Sequence, residues 1–307
     1  AFTGNFPKRD SIMVRALRDA GAVIIGKTVT AELGMAHPGP TTNPFDPQRT
    51  PGGSSSGSGA GIAARFFYGA LGSDTGGSIR LPATICGVTG IKGTQTRVSR
   101  AGVMPLSFSA DNVGPLVQTA RDAARFMRII SGHDPRDATS AREAVPDYEA
   151  ALNGDLRGIS IAVPQEYFFD GADEVVVKGF DAALEAMRDR GAKITRLSCP
   201  SLRAIAAYTA LVSRSEAAAI HAEWMRERAA DYSIHLSSRL YGGYPVPAHL
   251  YIEALSRRGP LLRQFCVEAM TGHHIVATPA LRTRVPTLAE TDIDADAANW
   301  SRFMAVS

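Results

Sequence analysis

Long apolar runs, clustered cysteines and a signal peptide are all missing from this 307-residue sequence. No stretch approaches the roughly eighteen apolar residues that span a bilayer, so we expect no contact with membranes. Cys86, Cys199 and Cys266 lie far apart and are odd in number, which argues against a disulfide framework and favours a cytoplasmic location. The opening residues, AFTGNFPKRD, lack the charged and then apolar order of a signal peptide.

Dense basic runs and metal-ligand spacing are also absent. The formal net charge is only +3, and the 28 arginines and 5 lysines are scattered, so we expect no direct contact with nucleic acid. No HExxH or CxxC spacing occurs, and we expect neither a metal nor an organic cofactor. With 45% hydrophobic residues the chain is long enough to bury a sizeable core.

Hydrophobic periodicity predicts alternating helices and strands. In the first half we predict a helix over 11–20, a buried strand at AVII (22–25), a loop over 38–58 and a helix over 59–67. The segment ALGSDTGGSIR is typical of a strand that ends in a tight turn, and Thr119 with Asp122 resembles a capping box before a further helix.

The second half continues this alternation. GISIAVP and AKITRLS read as strands on either side of an amphipathic helix, and HIVATPA reads as a short buried strand. Residues 201–231 and 247–271 are alanine-rich and favour helix. The fold class is therefore α/β, with a mixed, largely parallel central sheet flanked by helices.

Two glycine- and serine-rich turns carry the strongest chemical signal. They are PGGSSSGSGAG, which begins at Pro51, and GSDTGGSIR, which begins at Gly72. The consecutive backbone N–H groups of Thr75, Gly76, Gly77 and Ser78 could converge on an oxyanion because glycine permits a close approach. From the residues alone, a flexible connector or a phosphate cradle remains an alternative.

These turns, with ALGSDTGGSIRLPATICGVTGIKGT and RVSRAGVMPLSFSADNVGPLVQTARDAARFMRIISGHDPRD, resemble in order the signature region of the amidase signature family. The resemblance covers nearly the whole chain and is most specific over residues 50–137. It implies an enzyme that hydrolyses a small-molecule carboxylic amide through a serine acyl-enzyme and releases ammonia or an amine.

The resemblance also implies roles for individual residues. Ser78 corresponds to the family's nucleophile, and Ser54 corresponds to its bridging serine, which follows a non-proline cis peptide bond. Thr75, Gly76 and Gly77 would form the oxyanion hole. A neutral lysine would take the proton of Ser54 as Ser54 takes that of Ser78.

That lysine has no counterpart here, because the family carries it upstream, usually in a Lys-Asp-Asn motif, and no such motif occurs. Lys8, Lys27 and Lys92 occupy other positions. We therefore expect a single amidase domain over residues 1–307, truncated at both ends and incomplete as a fold. Its catalytic core would span 20–137, and a more variable, helical, substrate-side portion would span 150–271.

Several alternatives stay open at this point. The chain could be a catalytically inactive amidase-like fragment that lacks the lysine base, or the glutaminase subunit of a tRNA-dependent amidotransferase. GAVIIGKT, from Gly21 to Thr28, fits the phosphate-loop pattern, but a helix precedes it and its apolar run reads as the strand itself. GGSIR is not the GxSxG elbow of a Ser-His-Asp hydrolase. A homodimer is one oligomeric alternative.

Overall fold

The computed structural model describes residues 7–35, 39–150 and 152–291. Two positions discussed above lie outside the described residues. They are Pro38, at the start of the predicted loop, and the terminal segment SRFMAVS. The α-helices are α1 (Ile12–Asp19), α2 (Ser56–Ala63), α3 (Arg80–Ile85), α4 (Ala120–Ile130), α5 (Glu174–Arg188), α6 (Ser201–Glu227), α7 (Ile234–Tyr241) and α8 (Ala248–Phe265). The strands are β1 (Gly69–Asp74), β2 (Thr89–Gly90), β3 (Asn112–Val117), β4 (Ser160–Pro164), β5 (Lys193–Leu197) and β6 (Ile275–Val276).

Helix α1 confirms the helix predicted near the start of the chain. The Ser11 hydroxyl accepts a hydrogen bond from the Val14 N–H and so caps the first turn. Met13 and Leu17, one turn apart, are buried against β3 and α4. Gly21, with φ of 91°, ends the helix in the left-handed conformation that glycine adopts readily.

The strand predicted at AVII (22–25) is wrong. The segment pairs with no described strand, and its side chains are largely exposed: Val23 at 85% and Ile25 at 71%. An apolar, β-branched run indicates that a segment can be buried in a sheet, but a strand also needs a neighbour that exchanges backbone hydrogen bonds. Among the described residues, no such neighbour lies beside 22–25.

We predict very different losses in the free energy of unfolding when Ile25 and Ile62, which the sequence alone does not distinguish, are each replaced by alanine. Ile25→Ala should change the free energy of unfolding by less than about 0.5 kcal/mol, because this side chain is already exposed. Ile62→Ala should cost about 2–5 kcal/mol, because Ile62 is fully buried beneath β1 and β3. Urea unfolding of both variants measures the difference, and equal losses would contradict the structure at 22–25.

An antiparallel sheet, in the order β1-β3-β2, supports the first half of the chain. Strand β3 is central and every one of its residues is buried. The pairing runs from Gly69 opposite Val117 to Asp74 opposite Asn112, so β1 ends beside the start of β3. The sequence predicts a strand here that ends in a tight turn, and the structure confirms it: Gly72, Ser73 and Asp74 of GSDTGG end β1, and the turn begins at Thr75.

Helix α2 begins at Ser56, three residues before the predicted start, and ends at Ala63. Its first turn packs against the extended segment that follows Lys27. The Gly57 N–H donates to the Val29 carbonyl at 2.9 Å, and a Cβ on Gly57 would lie 2.5 Å from the Val29 nitrogen. Glycine is required there because the two backbones touch.

A parallel sheet, in the order β5-β4-β6, forms the second sheet. It confirms the three strands and the intervening helix α5 that the alternation predicted. Helix α4 also begins as expected, with the Thr119 hydroxyl accepting from the Asp122 N–H at 3.1 Å. The mixed α/β class is confirmed. Instead of one largely parallel sheet, the described strands form two separate three-stranded sheets, one antiparallel and one parallel. No described strand pairs with both sheets.

The helices of the second half pack beside these sheets. Helices α6 and α8 lie within the predicted helical ranges and pack against each other, whereas α7 was not predicted. Leu236 and Leu240 of α7 are fully buried against Ala217 and Met225 of α6. Within the parts of the chain that the structure describes, no helix has the length and hydropathy needed to cross a membrane.

Candidate active site

The two glycine- and serine-rich turns lie side by side. The first contains a cis peptide bond between Gly53 and Ser54, as the resemblance implies. Gly52, before it, has φ of 76°, and a Cβ there would lie 3.0 Å from the Pro82 Cα. The position therefore needs glycine both for its conformation and for its close contact with α3.

The backbone of Ser54 is fixed, while its hydroxyl is available. The Ser54 carbonyl accepts a hydrogen bond from the Ala31 N–H at 2.8 Å. Its side chain is only 4% exposed and faces a cavity, and its Oγ bonds to no group among the described residues. A hydroxyl placed in this way can pass a proton between two other groups.

Ser55 connects the two turns directly. Its N–H donates to the Ser78 carbonyl at 3.2 Å. Its hydroxyl donates to the Ser73 carbonyl at 3.3 Å and accepts from the Ser73 N–H at 3.2 Å. Because Ser73 belongs to β1, the turn that carries Ser54 is held against the edge of β1 that faces away from β3. The half-buried Ser78 is thereby kept close to the Ser54 turn.

Asp74 organises the turn that carries Ser78. Its fully buried carboxylate accepts from the N–H groups of Gly77 at 2.8 Å and Ile79 at 3.0 Å. The Arg80 guanidinium donates two further bonds, at 2.8 and 3.0 Å. Burial acts to raise the pKa of Asp74, but Arg80 and the backbone donors outweigh it and hold the pKa below its ordinary value. The carboxylate is therefore charged at neutral pH.

This arrangement changes the expected set of oxyanion donors. The Gly77 N–H is used by Asp74 and is not available to a substrate. The N–H groups of Thr75, Gly76 and Ser78 donate to no other group in the described part of the chain. The sequence pattern could not separate these four amides, because which of them turns inward depends on how a buried carboxylate folds the turn.

Thr75 is anchored from the opposite side. Its hydroxyl donates to Asp111 Oδ1 at 2.5 Å. Asp111, which is buried, also accepts from the N–H groups of Leu106 at 2.8 Å and Ser107 at 3.0 Å. The turn 75–78 is therefore held by Asp74 from within and by Asp111 from the neighbouring segment 105–111.

A cavity of about 1130 Å³ opens beside these groups. Ser54, Ser73 and Thr75 contribute to one part of its wall, and residues 100–106 together with Phe108 form another part. Ser78 is not among the described residues that line it, and its turn reaches the cavity through Thr75. The volume is sufficient for a small organic substrate.

The described lysines make no hydrogen bond to either serine. Lys27 lines the cavity but is exposed. Lys92 is partly buried, and burial together with the charge of Arg80 lowers its pKa, yet its Nζ donates to the Gly93 carbonyl at 2.8 Å. Lys8 is exposed and lies before α1.

Ser55 and Ser58 form a matched pair for testing the connection between the turns. Both are buried and both donate to a β1 carbonyl, Ser55 to Ser73 and Ser58 to Leu71. Ser55→Ala and Ser58→Ala should each lower the free energy of unfolding by about 1–3 kcal/mol in urea titrations. Only Ser55→Ala should slow the covalent labelling of Ser78 by a fluorophosphonate, a reagent that reacts with activated serine hydroxyls. Equal labelling rates in the two variants would show that the Ser55 hydroxyl does not position the site.

Sequence reasoning missed three residues of this site. Ser73 lines the cavity, Asp74 holds the turn and Asp111 holds Thr75. The first two lie inside the GSDTGG motif and were readable as polar residues at a strand end. Asp111 lies 36 positions from Thr75, and only the pairing of β1 with β3 brings the two together.

Comparisons with known proteins identify the family. The family model described as Amidase matches residues 1–307. The chain belongs to the amidase signature family.

Relatives and solved structures fit the same family. The chain is 43% identical over 246 residues to a subunit of the glutamyl-tRNA(Gln) amidotransferase of Gloeobacter violaceus, covering 76% of this chain and 50% of that protein. The crystal structure of the corresponding subunit from Thermotoga maritima superposes with a TM-score of 0.81 at 31% identity, covering 97% of this chain and 66% of that one. Native peptide amidase from Stenotrophomonas maltophilia gives a TM-score of 0.69 at 31% identity, with coverage of 80% and 58%. The chain thus spans about half the length of the curated relatives it matches.

Proposed function

We propose that this amidase-family chain carries a serine-dependent site for hydrolysis of carboxylic amides, with Ser78 as nucleophile and Ser54 as bridging serine. One observation carries the proposal: the turn that contains Ser54 and the turn that contains Ser78 are hydrogen-bonded to each other beside one cavity. The Ser54 hydroxyl has no other described partner, and the Ser78 turn is fixed by the Ser55 N–H. The core 20–137 would hold this chemistry, and the helical portion 150–271 would shape the substrate side.

The proposed reaction has two steps. Ser78 Oγ attacks the amide carbon, and its proton passes through the Ser54 hydroxyl to a base and then to the leaving nitrogen as the C–N bond breaks. The products of this step are an acyl-enzyme on Ser78 and ammonia or an amine. Water then cleaves the ester, releases the carboxylic acid and restores the Ser78 hydroxyl. In the family the base is a lysine, and we assign that role to none of the described lysines.

The oxyanion of each tetrahedral intermediate would be bound by the N–H groups of Thr75, Gly76 and Ser78. These are the amides in this turn that Asp74 leaves free. Donors that are already fixed before the reaction stabilise developing charge without reorganising, which accounts for a large share of the rate in acyl transfer. In this proposal Gly77 contributes through its hydrogen bond to Asp74.

Acyl transfer to hydroxylamine tests this function. Incubating the chain with a panel of primary amides and their matching methyl esters should release ammonia or methanol and form hydroxamate. Amide and ester of one acid should give the same ratio of hydroxamate to acid, because both pass through the same acyl-enzyme. Ser78→Ala should form no hydroxamate and release no ammonia or methanol beyond the rates measured without protein, because hydroxylamine also attacks methyl esters unaided. Different ratios, or product formation by Ser78→Ala above those rates, would contradict the proposal.

A second candidate is glutamine hydrolysis within a tRNA-dependent amidotransferase. It is favoured by the 43% identity to a subunit of such an enzyme from Gloeobacter violaceus. Glutamine as the amide donor in the same assay distinguishes the candidates, since ammonia release from glutamine in preference to other amides supports the second. In either case we propose a small-molecule amide as the ligand and the cytoplasm as the location, with a homodimer as an alternative to a monomer.

A further inference from the structure

Glu216, in the middle of α6, is a buried carboxylate that no cation neutralises among the described residues. It is 4% exposed. Its Oε2 accepts from the Ser107 hydroxyl and from the Ser109 N–H at 3.0 Å, and its Oε1 accepts from the Tyr251 hydroxyl at 2.9 Å. A buried carboxylate is costly unless such donors satisfy it.

Two of the three donors of Glu216, Ser107 and Ser109, belong to the segment 105–111 that holds the nucleophile turn. The Ser107 hydroxyl bonds to Glu216, while the Ser107 N–H bonds to Asp111. Asp111 in turn accepts from the Thr75 hydroxyl at 2.5 Å. The bonds run without interruption from α6 to the first residue of the turn 75–78.

Segment 105–111 has little regular structure of its own, because it lies between the end of the 100–104 loop and the start of β3. Loop backbone of this kind takes its position from the side chains that bind it. Two carboxylates bind this segment: Asp111 from within the segment and Glu216 from α6. Of these two, Glu216 connects it to another part of the molecule, more than 100 positions later in the sequence.

We propose that Glu216 is a positioning residue of the amidase site, which fixes segment 105–111 on α6 and through Asp111 orients Thr75 in the oxyanion turn. The inference rests on the proposed function, but its structural part can be measured without activity. Burial acts to raise the pKa of Glu216, while its bonds from Ser107, Ser109 and Tyr251 outweigh burial and lower the pKa. Glu216 therefore stays charged at neutral pH and is a stronger acceptor than a neutral amide.

The test compares Glu216→Gln with Tyr251→Phe. Glutamine keeps the shape but loses the charge and one acceptor, whereas Tyr251→Phe removes a donor that belongs to α8 and not to the segment. Glu216→Gln should slow labelling of Ser78 by a fluorophosphonate about 10- to 100-fold, as expected for a misplaced donor set. Tyr251→Phe should stay within about threefold of the unmodified chain, because it leaves the Ser107 and Ser109 contacts intact.

Hydrogen–deuterium exchange supplies the readout that does not depend on activity. Glu216→Gln should speed exchange of the amides in 105–111 and of the Gly77 amide, which is the hydrogen-bonded amide of the turn 75–78 in the described part of the chain. It should leave the parallel sheet of β4 and β5 unchanged. Unchanged exchange at 75–78 in Glu216→Gln would overturn the proposal, even if the unmodified chain is never labelled. An unlabelled parent chain with the expected exchange pattern would count against the hydrolytic function and support the positioning role.

A second variant covers the case in which Glu216→Gln does not fold. Ser107→Ala removes the hydroxyl bonded to Glu216 and keeps the N–H bonded to Asp111. It should speed exchange in the same two segments and slow labelling less than Glu216→Gln does. If Ser107→Ala speeds hydrogen–deuterium exchange in 105–111 but leaves exchange in 75–78 as slow as in the parent chain, Glu216 holds the loop without orienting the site.

Discussion

Replacing Asp74 with alanine is expected to lower the free energy of unfolding by about 3–5 kcal/mol and to abolish labelling of Ser78. The substitution leaves the N–H groups of Gly77 and Ile79 without their acceptor and the Arg80 guanidinium without its partner. Most of the cost comes from the buried backbone donors, because Arg80 is about half exposed and can be solvated by water. The turn 75–78 would lose the group that sets its shape. Urea unfolding and the labelling rate measure the two effects.

Asp155→Ala is the control for this prediction. Asp155 also binds an arginine, Arg157, through several contacts, but the arginine is exposed and the pair lies at the surface. Its removal should change stability by less than about 1 kcal/mol and leave labelling unchanged. An Asp74→Ala loss no larger than that of Asp155→Ala would contradict the role given to Asp74.

The contribution of Asp74 should also depend on pH in a defined direction. Burial acts to raise its folded-state pKa, but the opposing effects of Arg80 and the backbone donors leave that pKa lowered. Such a group contributes stability that is fully present above its unfolded pKa of about 4 and is lost as pH falls through the lower folded value. The difference in unfolding free energy between the parent chain and Asp74→Asn should therefore shrink below about pH 4.

Replacing Ser54 with alanine is expected to slow labelling of Ser78 by about 10²- to 10⁴-fold with little change in stability. General acid–base groups contribute factors of this size. The structural bond of Ser54 comes from its carbonyl, which accepts from the Ala31 N–H and survives the substitution. Its hydroxyl makes no bond to the described residues, so its loss should change the unfolding free energy by less than about 1 kcal/mol.

Comparison with Ser58→Ala separates a proton-transfer role of Ser54 from a packing role. Ser58 is buried in α2 and bonds to β1, so its loss should lower stability and leave labelling unchanged. Ser54→Ala should show the reverse pattern. A Ser54→Ala chain labelled as fast as the parent would contradict the bridging role.

Local patterns predicted much of the fold. Thr119 with Asp122 marks the start of α4 by a side-chain cap that depends on neighbours only, and the spacing of apolar residues predicted α1. The β-branched run at 22–25 predicted a strand and was wrong, because pairing depends on a distant segment. The reverse error affected β3, whose residues NVGPLV are all buried at the centre of a sheet but were not recognised as a strand.

In the candidate site, too, residues within short motifs could be predicted, whereas roles that depend on distant contacts could not. Ser54 and Ser78 came from the resemblance of short motifs, and the structure places their turns in contact through Ser55. The roles of Asp111 and Glu216 could not be found in this way, because their partners Thr75 and Ser107 lie tens of positions away. Asp111 lies within the signature stretch, but the resemblance gave it no role. The use of the Gly77 N–H by Asp74 is a matter of turn geometry that no spacing rule contains.

Covalent labelling of the purified chain with a fluorophosphonate, read by intact mass and peptide mapping, tests the central claim most directly. Attack by Ser78 Oγ on phosphorus displaces fluoride and leaves one phosphonyl group on the serine, and Ser78→Ala is the control. The account predicts a single added phosphonyl group that maps to Ser78 and is absent from Ser78→Ala. No added mass, or the same added mass in Ser78→Ala, would contradict it.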